Sequence, residues 1–275
     1  MKKTSVAVFL ALSAFSVFAA VSEIRVDLRL DFADYVCGER IRAVVDIANS
    51  SPEKVSVGYR NSKDLFFIEV FRAGDMSMLE RKPRAKFVSR FVIESGEGQK
   101  LETFLGDHYA LREPRRYLAK PVLVHGGVRY EGAMRAFDVV EGIRLGGAMQ
   151  MFANRQGLQR EFGLVHWSRG GGEHLFLTAA DAGVSSAKWE TRDLGSILRI
   201  DPPSISVLKS GEIIVIHRYN TDNYIRSSFW SLPDAFEFRT REIVRDPETA
   251  GTARVRELYK EKGIEPKHNP WWKFW

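Results

Sequence analysis

The sequence predicts a mainly β protein of two domains. An antiparallel sandwich is expected over residues 21–145, a second small β-domain, sandwich or half-barrel, over 146–250, and a short helix within 251–275. Three observations carry this. Apolar and polar residues alternate with period two in run after run, clusters of Gly, Asn, Ser, Asp and Pro punctuate those runs, and no helical spacing interrupts them before the last segment. The composition, 44% hydrophobic and 28% charged over 275 residues, is that of a chain large enough to close an apolar core without staples.

The first twenty residues read differently. Met1, Lys2 and Lys3 make a positive start, Val6 to Ala20 carries no charge, and Val17-Phe18-Ala19 offers a cleavage site near Ala19 or Ala20. This pattern predicts a bacterial-type secretory signal peptide over 1–20 and an exported, periplasmic or extracellular protein. The run is shorter than the roughly 20 apolar residues that span a bilayer, so no transmembrane segment is expected after cleavage. Cys37, the one cysteine, lies too far downstream for lipid attachment at the cut. It excludes an intrachain disulfide and reads as a small buried residue, with pairing between chains as the alternative.

From Ile24, the residues Ile24, Val26, Leu28 and Leu30 alternate with Arg25, Asp27, Arg29 and Asp31, a strand with one wet face. The alternation recurs in Ile41 to Ile47, Phe66 to Val70, Phe87 to Ile93, Tyr117 to Val124 and Met134 to Val140. Turn chemistry separates them at Cys37-Gly38-Glu39, Asn49-Ser50-Ser51-Pro52, Arg72 to Asp75, Ser95 to Gly98 and His125-Gly126-Gly127.

Gly38-Glu39-Arg40-Ile41, leading into a strand that ends at Asn49-Ser50-Ser51, resembles the second-strand region of bacterial extracellular immunoglobulin-like modules. Tyr109-Ala110-Leu111, Arg116 to Pro121 and Phe137 to Val140 resemble their closing strands. The likeness covers about residues 21–145 and is similar in outline to the small sandwich of some bacterial proteinase-inhibitor domains. It implies an immunoglobulin-like fold. The cysteine pair of antibody-type domains is missing, and no shared ligand is implied.

Gly142 to Gly147 marks the boundary. Strand-like runs then follow at Phe162 to Trp167, His174 to Thr178, Leu194 to Ile200, Ile205 to Leu208, Ile213 to His217 and Tyr224 to Trp230. Pro203 to His217 looks like one hairpin of a propeller blade, yet the chain is too short for four blades of roughly 40 residues each. Near the end, Val255, Leu258 and Tyr259 have helical spacing within Ala253 to Lys262, and Gly263 is placed as a stop. Beyond it, Glu265 to Pro270 reads as an extended spacer before Trp271-Trp272-Lys273-Phe274-Trp275.

The formal net charge is +6, and residues 251–275 hold six basic against three acidic side chains. A phosphate-binding face needs a more concentrated excess, and export argues the same way, so no nucleic-acid partner is expected. Phosphate-cradling, helix-borne zinc and nucleophile-elbow motifs are absent from the sequence, and no cofactor is expected.

His166, His174 and His217 are the only set that suggests metal ligation, His166 facing His174 across a hairpin turned by Gly170 to Gly172. Three His at strand ends are more simply rim residues, and no metal is expected. Asp181, Glu190, Asp193, Asp201 and Glu212 supply carboxylates for glycoside chemistry only if two converge. The run Arg81 to Lys86 reads as a solvated loop. Trp167, Trp189, Tyr219, Tyr224 and Trp230 offer stacking faces for sugars or ordinary packing. Alternation sets Trp167 opposite His166 and Ser168, toward the core.

A fold alone does not require three Trp and a Phe within the last five residues. Trp271, Trp272, Phe274 and Trp275, flanked by Lys267 and Lys273, have the amphipathic character of a segment that docks on a partner or a membrane interface. Folding back onto its own domain is the alternative. The expectation is a non-catalytic binding or assembly protein of the envelope or extracellular space, with a protein, envelope component or glycan as partner. A carbohydrate-active role for residues 150–245 and a proteinase-inhibitor role are the alternatives.

Overall fold

The structure is a computed structural model that describes residues 23–83, 87, 90–152, 157–182 and 189–245. It is mainly β and built of several antiparallel sheets. The first unit runs in order through β1 (Ile24–Leu30), β2 (Asp34–Val36), β3 (Arg42–Asn49), β4 (Val55–Val57), β5 (Leu65–Arg72), β6 (Phe91–Ile93) and β7 (Gly98–Phe104). A single helical turn, α1 (Leu105–His108), precedes β8 (Arg115–His125), β9 (Val128–Glu131) and β10 (Arg135–Val140).

These strands make a sheet β1-β3-β7, a second ordered β2-β10-β8-β5 with β9 added to β8, and a two-stranded ladder β4-β6. The ladder of β2 on β10 is parallel, with Asp34 opposite Asp138. Alternation along β1 sends Ile24, Val26 and Leu28 inward, where they join Val45, Ile47, Tyr35, Ile68, Val70, Tyr117 and Phe137 in one apolar cluster. Each such side chain contributes about 1.5–3 kcal/mol when fully buried. The Asn49-Ser50-Ser51 motif has a structural use. Buried Asn49 donates through Nδ2 to the carbonyls of Glu53 (2.8 Å) and Ile93 (3.2 Å), while its Oδ1 accepts from the Ser51 hydroxyl at 2.6 Å.

Two residues, Glu141 and Gly142, join the units. Gly142 has φ +72°, and a Cβ there would lie 2.4 Å from Val165 Cγ1 and 3.0 Å from the His166 carbonyl oxygen. Both the left-handed backbone and the close approach demand glycine.

The second unit starts at Ile143, inside the glycine-rich boundary segment. It holds β11 (Ile143–Met151), β12 (Gln159–Arg169), β13 (Gly172–Ala182), β14 (Trp189–Ser196), β15 (Ser204–Val207), β16 (Glu212–Arg218), β17 (Tyr224–Leu232) and β18 (Ala235–Val244). They form two four-stranded antiparallel meanders, β11-β12-β13-β14 and β15-β16-β17-β18. Phe162, Leu164, Leu175, Leu177 and Leu194 of the first meander pack against Ile213, Val215 and Phe229 of the second.

Two expected strands are shorter than their alternation suggests. Among the described residues of Phe87 to Ile93, only Phe91–Ile93 form a strand, β6. The run Leu194 to Ile200 leaves its sheet after Ser196: Ile197 N–H still bonds the Glu173 carbonyl of β13 (2.9 Å), but Leu198 N–H turns to the Arg218 carbonyl of β16 (2.9 Å), in the other meander. The expected helix at Ala253 to Lys262 lies outside the described residues. No helix among the described residues is long and apolar enough to cross a membrane.

Candidate functional site at the seam between the units

The strongest polar cluster forms where β2 and the turn after it meet the outer face of β12, β13 and β14. Gly38, at φ +82°, lets the chain reverse so that Glu39 N–H reaches the Val36 carbonyl at 2.9 Å. The Glu39 side chain caps the same turn, its Oε2 accepting from Val36 N–H at 3.0 Å. Thr191 of β14 then docks on the turn: its N–H bonds the Gly38 carbonyl at 3.1 Å and its hydroxyl the Cys37 carbonyl at 2.5 Å.

Arg169 at the end of β12 fills the centre. Its guanidinium grips Glu39 in a fork, Nη1 to Oε1 at 2.7 Å and Nη2 to Oε2 at 2.6 Å, and Nη2 also bonds the Asp34 carbonyl at 3.1 Å. The side chain is 2% exposed and that of Glu39 11%. Burial pushes the Arg169 pKa down, but the Glu39 hydrogen bonds and charge outweigh it and hold the group above the ordinary arginine value. The cation lies 4.3 Å from the Phe32 ring centroid and 4.9 Å from that of Phe176, where aromatic faces replace part of the lost hydration. Asp193, 3.7 Å from Nη1, extends the cluster to His174, whose Nδ1 is 3.0 Å from the Asp193 carboxylate.

Apolar contacts seal this cluster. Val36 and Val140 of the first unit pack with Val165, Trp167 and Phe176 of the second, and the Trp167 indole N–H donates to Asp34. Trp167 does lie opposite His166, yet its face of the sheet covers the seam instead of the second unit's own core. Cys37 is buried in the same turn, and burial followed by the Glu141 charge raises its thiol pKa. That environment keeps the sulfur protonated and unreactive.

The three histidines do not converge. His166 pairs across its hairpin with Leu175, whereas Trp167 is the residue opposite His174, so the expected facing of His166 and His174 is overturned by register. No group of three metal-binding side chains occurs among the described residues. His217 is 1% exposed, and burial, then the Arg241 charge, lowers its pKa to about 4.

Four of the five candidate carboxylates are held by arginines or histidine. Asp181 receives Arg160 Nε at 2.6 Å, Asp193 binds His174, Asp201 accepts from Arg218 at 2.6 Å and Tyr224 at 2.8 Å, and Glu190 pairs with Arg192. Glu212 is buried on β16. Of the aromatics, Tyr219 is exposed, Tyr224 is tied to Asp201, and Trp230 is half-buried under the Arg239 guanidinium at 5.7 Å. The side chain of Trp189 and the tail residues Trp271, Trp272, Phe274 and Trp275 lie outside the described residues, as do Arg84 to Lys86 of the basic run.

Sequence reasoning passed over Arg169, Asp34 and Arg160. Arg160 is buried and donates through Nη1 to the Ser231 hydroxyl (3.0 Å) and to the carbonyls of Leu232 (3.0 Å) and Ala235 (3.2 Å), closing the β17–β18 turn. A charged residue ending an alternating run reads as solvent-facing, and nothing local reports that a second unit covers it.

No described protein family matches this sequence, and no curated protein matches it. Among solved structures, the sporulation control protein Spo0M of Bacillus subtilis is similar at a TM-score of 0.31 and 12% identity, over 88% of this chain and 98% of that one. The Pseudomonas fluorescens alkylpurine DNA glycosylase AlkC, bound to DNA containing an abasic site analog, is similar at 0.30 and 14% identity. That match covers 43% of this chain and only 30% of the glycosylase. Likenesses at these scores carry no argument about what this chain does.

Proposed function

We propose that this chain is an exported, non-catalytic binding or assembly protein of the bacterial cell envelope or extracellular space, its first unit an immunoglobulin-like sandwich. Its partner is a protein or envelope component, glycan included, engaged by Trp271, Trp272, Phe274 and Trp275. One observation carries the reading: Asp181, Asp193, Asp201 and Glu190 of the second unit are committed to arginine and histidine partners, the first two across neighbouring strands. Asp201, whose carboxyl the Tyr224 hydroxyl and the Arg218 guanidinium hold below the usual range, makes a poor general acid. Glu173 illustrates this, since the Arg199 guanidinium beside it holds its carboxyl below the usual range.

Affinity recovery from native envelope material tests the reading, using the full chain and a variant lacking residues 264–275. Loss of partner recovery with a nearly unchanged melting temperature is expected. A large fall in melting temperature would show that the aromatics are internal packing. Export has its own test: the mass of the protein recovered outside the cytoplasm should correspond to a chain that begins after Ala19 or Ala20.

A further inference from the structure

In the first unit, the turn after β3 and the turn between β8 and β9 border a cavity of about 200 Å3, whose walls include Glu23, Pro52, Glu53, His125, Val128 and Tyr130. His125, the last residue of β8, is 8% exposed, and the Asp64 carboxylate lies 3.0 Å from its Nδ1. The same carboxylate oxygen accepts from Ser56 N–H at 2.8 Å, which fixes Asp64 in turn. An ionised carboxylate only accepts, so Nδ1 donates, and the neutral ring keeps its lone pair on Nε2. Nε2 has no hydrogen-bond partner among the described residues. Glu23 and Glu53 hang from fixed backbone. The Glu23 carbonyl accepts from Ser50 N–H at 2.7 Å, and that of Glu53 from Asn49 Nδ2 at 2.8 Å and the Ser51 hydroxyl at 2.9 Å. Neither carboxylate has an ion-pair partner among the described residues, in contrast to Asp181 and Asp201 of the second unit.

We propose that this cavity takes a primary alkylammonium group, whose N–H donors are shared among Glu23, Glu53 and His125 Nε2. The two carboxylates and the imidazole lone pair are all acceptors, and an alkylammonium brings three donors and no acceptor. Hydrogen bonds between ionised partners are the strong ones, and two negative charges turn an anion away. A metal ion is a poor occupant, because no group of three His, Cys, Asp or Glu side chains among the described residues could hold one. A larger, organic cation is left. Size points the same way: the cavity is smaller than the roughly 300–1,000 Å3 that encloses a drug-sized ligand, and it suits one side chain or a short amine. Pro52, Val128 and Tyr130 supply apolar wall for the methylene stem, on which such stems lie while the charged head is solvated or paired. Two sources present this group, a lysine of a partner protein and a small free amine. The site is separate from the terminal aromatics and does not depend on the partner they engage.

Titration of the full chain with butylamine, with the capped peptide acetyl-Gly-Lys-Gly-amide and with butanol tests it, read by heteronuclear NMR of the histidine rings. Both amines should bind saturably and move the His125 Nε2 signal while Nδ1 keeps its bond to Asp64, and butanol should do neither. Glu23→Gln combined with Glu53→Gln should weaken amine binding about tenfold, and Glu53→Gln alone about threefold. The melting temperature should stay nearly unchanged, because neither carboxylate ties one strand to another. Tighter binding of the peptide than of butylamine assigns the group to a protein lysine, and equal or weaker binding assigns it to a small amine. Either result supports the site. An absence of saturation by both amines, an unmoved His125 signal, an equal response to butanol, or undiminished binding by the folded double variant would overturn the proposal.

Discussion

At the scale of the residue, Arg169 and Glu39 show how a charge is kept inside this molecule. Each guanidinium fork atom has a carboxylate oxygen, and aromatic rings lie around the cation. Removing one partner strands the other, which costs about 3–5 kcal/mol. Arg169→Met should therefore destabilise by that amount in urea unfolding, and adding Glu39→Gln to it should restore part of the loss. Two independent, additive losses would argue that the pair is not coupled. His217 makes a pH prediction. Its folded pKa of about 4 lies below the unfolded value near 6.5, so between those values the folded state binds fewer protons. Its stability contribution is complete above pH 6.5 and is lost as pH falls toward 4. Burial lowers the His108 pKa too and adds to the same slope. Unfolding measured across this window should show a shallower slope for His217→Asn than for the parent.

At the scale of the element, strands with one buried face were legible and strands exposed on both faces were not. β1, β3, β5, β8, β12, β16 and β17 announce themselves because burial imposes alternation. β7, with the sequence Gly98-Gln99-Lys100-Leu101-Glu102-Thr103-Phe104, is mostly exposed, and β18 is exposed along nearly all its length. β11 is rich in glycine and lies at the edge of its sheet. Backbone pairing creates such strands, and backbone pairing leaves no mark on side-chain polarity. The seam was illegible for a related reason: Glu39 and Arg169 belong to different units, and only the fold brings them together. The linker glycine gives an element-scale prediction. Gly142→Ala forces a Cβ into Val165 at positive φ and should cost about 1–3 kcal/mol. Gly74→Ala, with open space around it, should leave thermal stability nearly unchanged.

At the scale of the whole molecule, the buried seam couples two cores that are otherwise separate. Calorimetry of the intact chain should show one cooperative transition, and Arg169→Ala combined with Thr191→Ala should split it into two. Two transitions in the unaltered protein would mean that the seam transmits little. The parallel ladder between β2 and β10 has a further consequence. Asp34, Tyr35 and Val36 find their places only beside Asp138, Val139 and Val140, and the loop that must close first makes such a pairing slow. A polypeptide emerging amino end first during synthesis would hold this stretch unzipped until nearly the entire leading half had emerged, leaving a long interval in which a chaperone has something to grasp.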